Sequence, residues 1–180
     1  SSDLAPVQLQ LRRVVRRLGE GLVHSRFADA IAQAQTLWNS GANSQALELL
    51  QQSVDAAERA VKAGTSALGN PALVSLVREL VRLQLVQGQY AAVWDLLSRI
   101  DPVLGVQPDL SAIRANAAQR LGRHQDSVNA YRQALQMRPE EPRWQLGMAV
   151  SLAALGQTTA AAEMAERARS HGDISREVLS

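Results

Sequence analysis

Three histidines, His24, His124 and His171, are the side chains of this sequence best suited to bind a metal ion or move a proton near neutral pH. They lie far apart in the chain, and two of them flank turns or helix ends, so they read as solvent-exposed turn or cap residues rather than ligands. The chain has no cysteine, which removes thiol nucleophiles, disulfides and thiolate metal sites together. It carries no HExxH, no phosphate-binding loop, no GxGxxG and no GxSxG. Gly19-Glu20-Gly21 reads as a helix break, not a phosphate cradle, and Glu140-Glu141 stands ahead of Pro142, where negative charge suits a helix N-terminus. No catalytic constellation, metal site or cofactor site is expected.

A different chemistry is offered by LRRVVRRLGEG, residues 11–21, where Arg12, Arg13, Arg16 and Arg17 crowd together. Leu9, Leu11, Val14, Val15 and Leu18 form an apolar stripe with the arginines largely opposite. The plain expectation is a solvated face on an N-terminal helix that packs against the first helical repeat. The functional alternatives are an anionic protein surface or a membrane-proximal contact.

The elements behind these residues are helices. The chain has 180 residues, 46% of them hydrophobic, enough for a domain with a real core and too apolar for disorder. Aromatics are only 3%, so Leu, Val and Ala must build that core, and alanine favours helix because no side-chain entropy is lost there. The formal charge of +2 is near balance and makes no case for nucleic acid. No segment is apolar for the roughly 18 residues that a membrane-spanning helix needs. The opening SSDLAPVQ lacks the features of a signal peptide. Both ends read as cut from a longer protein, so missing targeting signals carry little weight, and the lack of cysteine leaves the redox compartment open.

Gly88, Gly122 and Gly156 follow apolar helical runs and recur every 34 residues, and Pro108 and Pro142 keep the same interval. A 34-residue period of glycine and proline is that of a stacked helix–turn–helix repeat. The expected helices are 6–18, 25–39, 43–63, 71–87, 89–100, 108–121, 123–138, 141–155 and 157–170, with a terminal piece from 173. The long helix 43–63 ends at Gly64, the loop TSALGN follows, and Asn70-Pro71 offers a cap and first helical residue.

The segment LGRHQDSVNAYRQALQMRP, residues 121–139, resembles the tetratricopeptide repeat. With Gly122 in the turn, Ala115, Ser127 and Ala134 fall where that family keeps small residues, Tyr131 where it keeps an aromatic, and Pro139 at its terminal proline. Gly156 aligns Ala149, Ala161, Ala165 and Ala168 in the same way. Gly88 aligns Val81, Val93, Leu97 and Ile100 more loosely, and Gly41 aligns Ala34, Ala46 and Leu50. Arg114, where leucine is usual, and Trp144, one place early, depart from the pattern. The resemblance implies an all-α, right-handed solenoid of about four helical hairpins in a single domain. Its parts would be an N-terminal helix at 1–24, a hairpin at 25–64, three hairpins at 71–172 and the start of a capping helix at 173–180.

Such arrays use the concave face of each first helix to bind proteins. The register places Arg78, Arg82, Asn116, Gln119, Arg120 and Arg143 there, with Gln35, Trp38 and Asn39 in the first hairpin. Arginines, amides and a tryptophan suit a peptide carrying carboxylates. The clamp that binds chaperone tails is not implied, since its lysine and asparagine are replaced by Ala112 and Gly147. Trp94 and Trp144 read as packing residues.

The run from Pro139 to Ala149, then LGQ and SREVL, is similar to the C-terminal part of MshN-type proteins of mannose-sensitive haemagglutinin and related type IV pili. That similarity covers 108–180 and implies a non-catalytic periplasmic scaffold tethered to the inner membrane from outside this chain, binding protein rather than nucleic acid or small substrates. The rival expectations are a scaffold for polysaccharide export or cell-wall synthesis, and an accessory domain fused to an enzyme. Leu155, Ile174 and Val178 are expected to leave an apolar patch through which terminal helices could form a homodimer.

Overall fold

The computed structural model describes the backbone of residues 4–64, 69–105 and 107–179, and the side chains of these except 16, 18–25, 69–70 and 174–179. Eight α-helices and no strand occur among the described residues. They are α1 (Leu4–Asn39), α2 (Asn43–Lys62), α3 (Gly69–Val86), α4 (Tyr90–Leu104), α5 (Pro108–Arg120), α6 (His124–Met137), α7 (Pro142–Ala154) and α8 (Thr158–Leu179). Their contacts group into two compact units, 1–86 and 87–180.

In the first unit α1 packs on α2 and α3, and α2 packs on α3. Ala34, Ala46, Leu50, Val54, Leu73, Leu76 and Val77 are fully buried at its centre. The alanines let the helix axes approach; the leucines and valines fill the space between. In the second unit each helix packs on the next, from α4 through α8, and α5 also meets α7. This is the stacked-hairpin arrangement that the 34-residue period predicts.

The turns obey one rule. After α5 the chain enters the left-handed region at Gly122 (φ +75°), and Arg123 N–H donates back to Ala118 O at 2.8 Å. After α7, Gly156 (φ +78°) repeats this, with Gln157 N–H donating to Leu152 O at 3.0 Å. The back-bond satisfies a carbonyl that the helix end would leave open, and a Cβ would strain either turn. The small residues of the repeat are buried as expected: Ala115, Ser127 and Ala134 are fully enclosed, and Ala149, Ala161 and Ala168 are buried.

Tyr131 is the plug of the second unit. It is buried in α6 among Ala112, Ala115, Met148 and Leu152, with Trp144 packed alongside. Its ring reaches Gly147 on α7, where an added Cβ would stand within 2.9 Å of two ring carbons, Cε2 and Cζ, and of the phenolic Oη.

Several expected boundaries are corrected. Gly19 and Gly21 do not break the N-terminal helix: α1 runs unbroken for 36 residues. Gly172 likewise lies inside α8, so no separate terminal helix starts at 173. A lone glycine costs a helix about 1 kcal/mol, less than opening the hydrogen-bond ladder with no cap or proline to receive the ends. The helix expected at 89–100 continues to Leu104 with Pro102 in its last turn, since only one ladder bond is lost there. Of the expected loop at 65–70, residues 65–68 lie outside the described residues, while 69–70 belong to α3, which begins at Gly69, ahead of the anticipated cap at Asn70.

Gly147→Ala is expected to destabilise the chain by about 1–3 kcal/mol, because the added Cβ would overlap the buried Tyr131 ring, which must shift. Urea unfolding followed by circular dichroism measures this, and an unchanged midpoint would refute the plug.

Candidate functional site

The residues assigned to a binding face divide by unit. In the first unit Arg78 and Arg82 lie four apart on α3, one turn, and both are exposed. Arg82 is held by Glu79: Nη2 donates to Oε1 at 2.6 Å and Nε donates to Oε2 at 3.2 Å. That bond, strengthened by the carboxylate charge and opposed by slight burial, raises the guanidinium pKa above its ordinary value. Trp38 is half-buried near the end of α1, and Gln35 and Asn39 are exposed. The same unit has an open groove of about 550 Å³ between α1 and α2, lined by Arg26, Phe27, Asp29, Gln33, Leu49 and Gln52.

In the second unit Asn116, Gln119 and Arg120 stand on α5 and Arg143 on α7, and their contacts give them different tasks. Gln119 is a strut. Its Nε2 donates to Gly147 O and to Ser151 Oγ, both at 2.8 Å, tying α5 to α7. His124 Nδ1 lies 3.2 Å from the same hydroxyl. Tyr131 has a phenol pKa raised by burial and partly lowered by its hydrogen bond with Asn116, so Asn116 also serves the core. Arg120 is exposed, with its guanidinium over the Tyr90 ring at 5.6 Å. Arg143 is exposed at the first turn of α7.

Sequence reasoning passed over what stands beside Arg143. Leu146 and Val150 on α7 are 55% and 51% exposed, and Ala153 and Ala154 beyond them are exposed too. Arg143, Leu146, Val150 and Ala154 succeed one another at three- and four-residue steps, so they share one face of α7. The opposite face, with Gln145, Met148, Ala149 and Leu152, is buried. The signal was present as apolar residues at the same repeat positions as the chosen polar ones, and a choice guided by charge misses them. The face is thus an apolar ridge headed by an arginine, next to Gly147 and Ser151, where Gln119 of α5 is bonded.

Other arginines are structural. Arg114 lies over the Trp94 ring at 5.5 Å and donates to Gln133 Oε1 at 2.7 Å, which explains its place where leucine is usual. Arg138 covers the Trp144 ring at 5.8 Å. His171 Nδ1 lies 3.0 Å from Gln145 Oε1, and Gln145 Nε2 donates to Pro139 O at 2.8 Å. Both histidines described are therefore half-buried against neighbouring helices rather than fully solvent-exposed; the His24 side chain lies outside the described residues. No group of three His, Asp or Glu side chains converges among the described residues. No helix among them is long and apolar enough to cross a membrane. Of the expected dimer patch, Leu155 is 37% exposed, and the Ile174 and Val178 side chains lie outside the described residues.

Gln119→Ala is expected to cost about 1–3 kcal/mol by leaving Gly147 O and Ser151 Oγ without their donor, whereas Arg143→Ala stays within about 0.5 kcal/mol. Chemical denaturation separates the two roles, and equal midpoints would deny the strut. Because the folded pKa of Tyr131 is raised, its stabilising contribution is whole below the unfolded value of 10.0 and is lost as pH climbs through the folded one. Stability measured from pH 8 upward should fall less steeply in Tyr131→Phe than in the parent; parallel curves would contradict this.

Comparison with known proteins agrees with the geometry. Residues 114–174 match the tetratricopeptide repeat family model. No curated protein matches the sequence. Among solved structures, MamA superposes with a TM-score of 0.67 at 14% identity, covering 92% of this chain and 86% of that one. MamA residues 41-end from Desulfovibrio magneticus RS-1 gives 0.63 at 13% identity, covering 92% and 90%. The fold is an all-α, tetratricopeptide-like array of helical hairpins, with the repeat itself matched over α5 to α8.

Proposed function

We propose that this chain is a non-catalytic scaffold that binds other proteins, and that the α7 face is its principal contact. The observation that carries this reading is the exposed ridge of Leu146 and Val150 headed by Arg143. Aliphatic side chains left half in water on a rigid, strutted helix gain by being covered, and arginine at the margin selects carboxylate through paired hydrogen bonds. The occupant is a peptide segment with apolar residues at helical or alternate spacing and an Asp or Glu at one end. Arg78 and Arg82 on α3 form a second, more polar contact for the same class of partner, with Trp38 contributing an aromatic edge.

The setting we favour is assembly of a bacterial envelope machine of the type IV pilus kind, on the periplasmic side and held to the inner membrane by a segment outside this chain. This rests on the similarity of residues 108–180 to MshN-type proteins. The fold supports the scaffold reading in general, since it presents surfaces and buries no reactive cluster among the described residues.

Peptides selected from a random library against the wild-type chain should be rich in Leu, Ile, Asp and Glu. Calorimetric titration of a selected peptide is expected to show about tenfold or greater loss of affinity with Leu146→Asp plus Val150→Asp, and a smaller loss with Arg143→Ala or with Arg78→Ala plus Arg82→Ala. Unaltered affinity in the α7 double variant would overturn the assignment of the face.

A further inference from the structure

The N-terminal part of α1 carries a second surface, independent of the α7 face. Every described side chain from Leu4 to Val15 is exposed, whereas Phe27, Ala30 and Ala34 of the same helix are buried against the first unit. The exposed stretch is not polar. Leu4, Val7, Leu11, Val14 and Val15 are 63%, 61%, 61%, 46% and 61% exposed. At about 100° per residue they fall within one arc of roughly 100°. Arg12 and Arg17 flank that arc on its two sides, each about 110° from its centre, and Arg13 lies farther round. Leu9 is the exception, standing on the arginine side at 52% exposure. No Asp or Glu occurs between residues 4 and 19.

We infer that this segment lies along the surface of an anionic lipid bilayer. An apolar arc facing acyl chains, with guanidinium groups on both flanks reaching phosphate, is the arrangement of an interfacial helix. It would lie on the bilayer and not cross it, consistent with α1 lacking the apolar length of a membrane span. A second copy is the weaker occupant on two grounds. At about 120 Å² for a fully buried aliphatic side chain, five offer on the order of 600 Å², short of the roughly 800 Å² per partner of a stable interface. Pairing would also bring arginines together with no nearby carboxylate in the segment to neutralise them. An acidic protein groove would cover the apolar arc but engage only part of the arginine face, whereas a lipid interface meets both flanks.

The test is sedimentation of the chain with phosphatidylcholine vesicles with and without phosphatidylglycerol. We expect binding that requires phosphatidylglycerol, weakens in high salt, and falls about tenfold both in Arg12→Glu plus Arg13→Glu and in Leu11→Asp plus Val14→Asp. Because the chain has no cysteine, Val15→Cys takes a single environment-sensitive dye, which should brighten on anionic vesicles while the same dye at Arg13→Cys does not. Circular dichroism verifies that each variant folds, and peptide binding at the α7 face should persist in all of them. Any of four results overturns the inference: no vesicle binding; loss in the charge variant but not in the apolar one, which is adsorption of a cationic patch; a dimer in light scattering that Leu11→Asp plus Val14→Asp dissolves; or binding to polyglutamate without binding to vesicles.

Discussion

The second unit depends on how closely α6 and α7 approach. Tyr131 lies against Gly147, and the ring occupies the volume a side chain would need. Ala115, Ser127 and Ala134 extend the same requirement to the α5–α6 contact, where each is fully buried. Dispersion attraction falls off steeply with separation, so a stack with many alanines in its core gains its cohesion only at short range. One large aromatic ring seated on a glycine fills what small residues cannot. Gln119 then fixes α5 to α7 by bonding the backbone of that same glycine. The face that α7 turns outward is held rigid by these contacts on its other side.

The arginines show how a nearly neutral chain can be rich in one cation without being a polyanion binder. Arg114, Arg120 and Arg138 each lie over an aromatic ring, and Arg82 and Arg169 are paired with carboxylates on their own helices. Guanidinium is weakly hydrated and planar, so it covers an indole or phenol face at little desolvation cost. The aromatics are few, and three of them sit beneath such a lid, Tyr90, Trp94 and Trp144. A count of arginines therefore overstates the charge offered to a partner. What distinguishes Arg143 is its exposure beside uncovered leucine and valine.

α1 joins two kinds of surface on one continuous helix. Its C-terminal part gives Phe27, Ala30 and Ala34 to the core, while its N-terminal part keeps its aliphatic residues in water. The helix is continuous through Gly19 and Gly21, because a break would release backbone groups that must then find other hydrogen-bond partners. That continuity aligns the Arg-flanked arc with the body that carries it.

The sequence by itself determined the helical class, the 34-residue register, the left-handed turns at Gly122 and Gly156 and the buried small residues. Each of these follows from local backbone energetics or from a spacing that repeats. Tertiary structure decided which exposed-looking polar residues are free to act. Gln119 and Asn116 read as groove residues, yet they bond Gly147, Ser151 and Tyr131, residues 15 to 32 positions away. Nothing in the sequence singles out Leu146 and Val150, yet they stand more than half exposed on α7. A periodic pattern says which residues share a face of a helix. Only the placement of neighbouring helices says whether that face is covered, since burial is a property of what stands opposite and not of the helix itself.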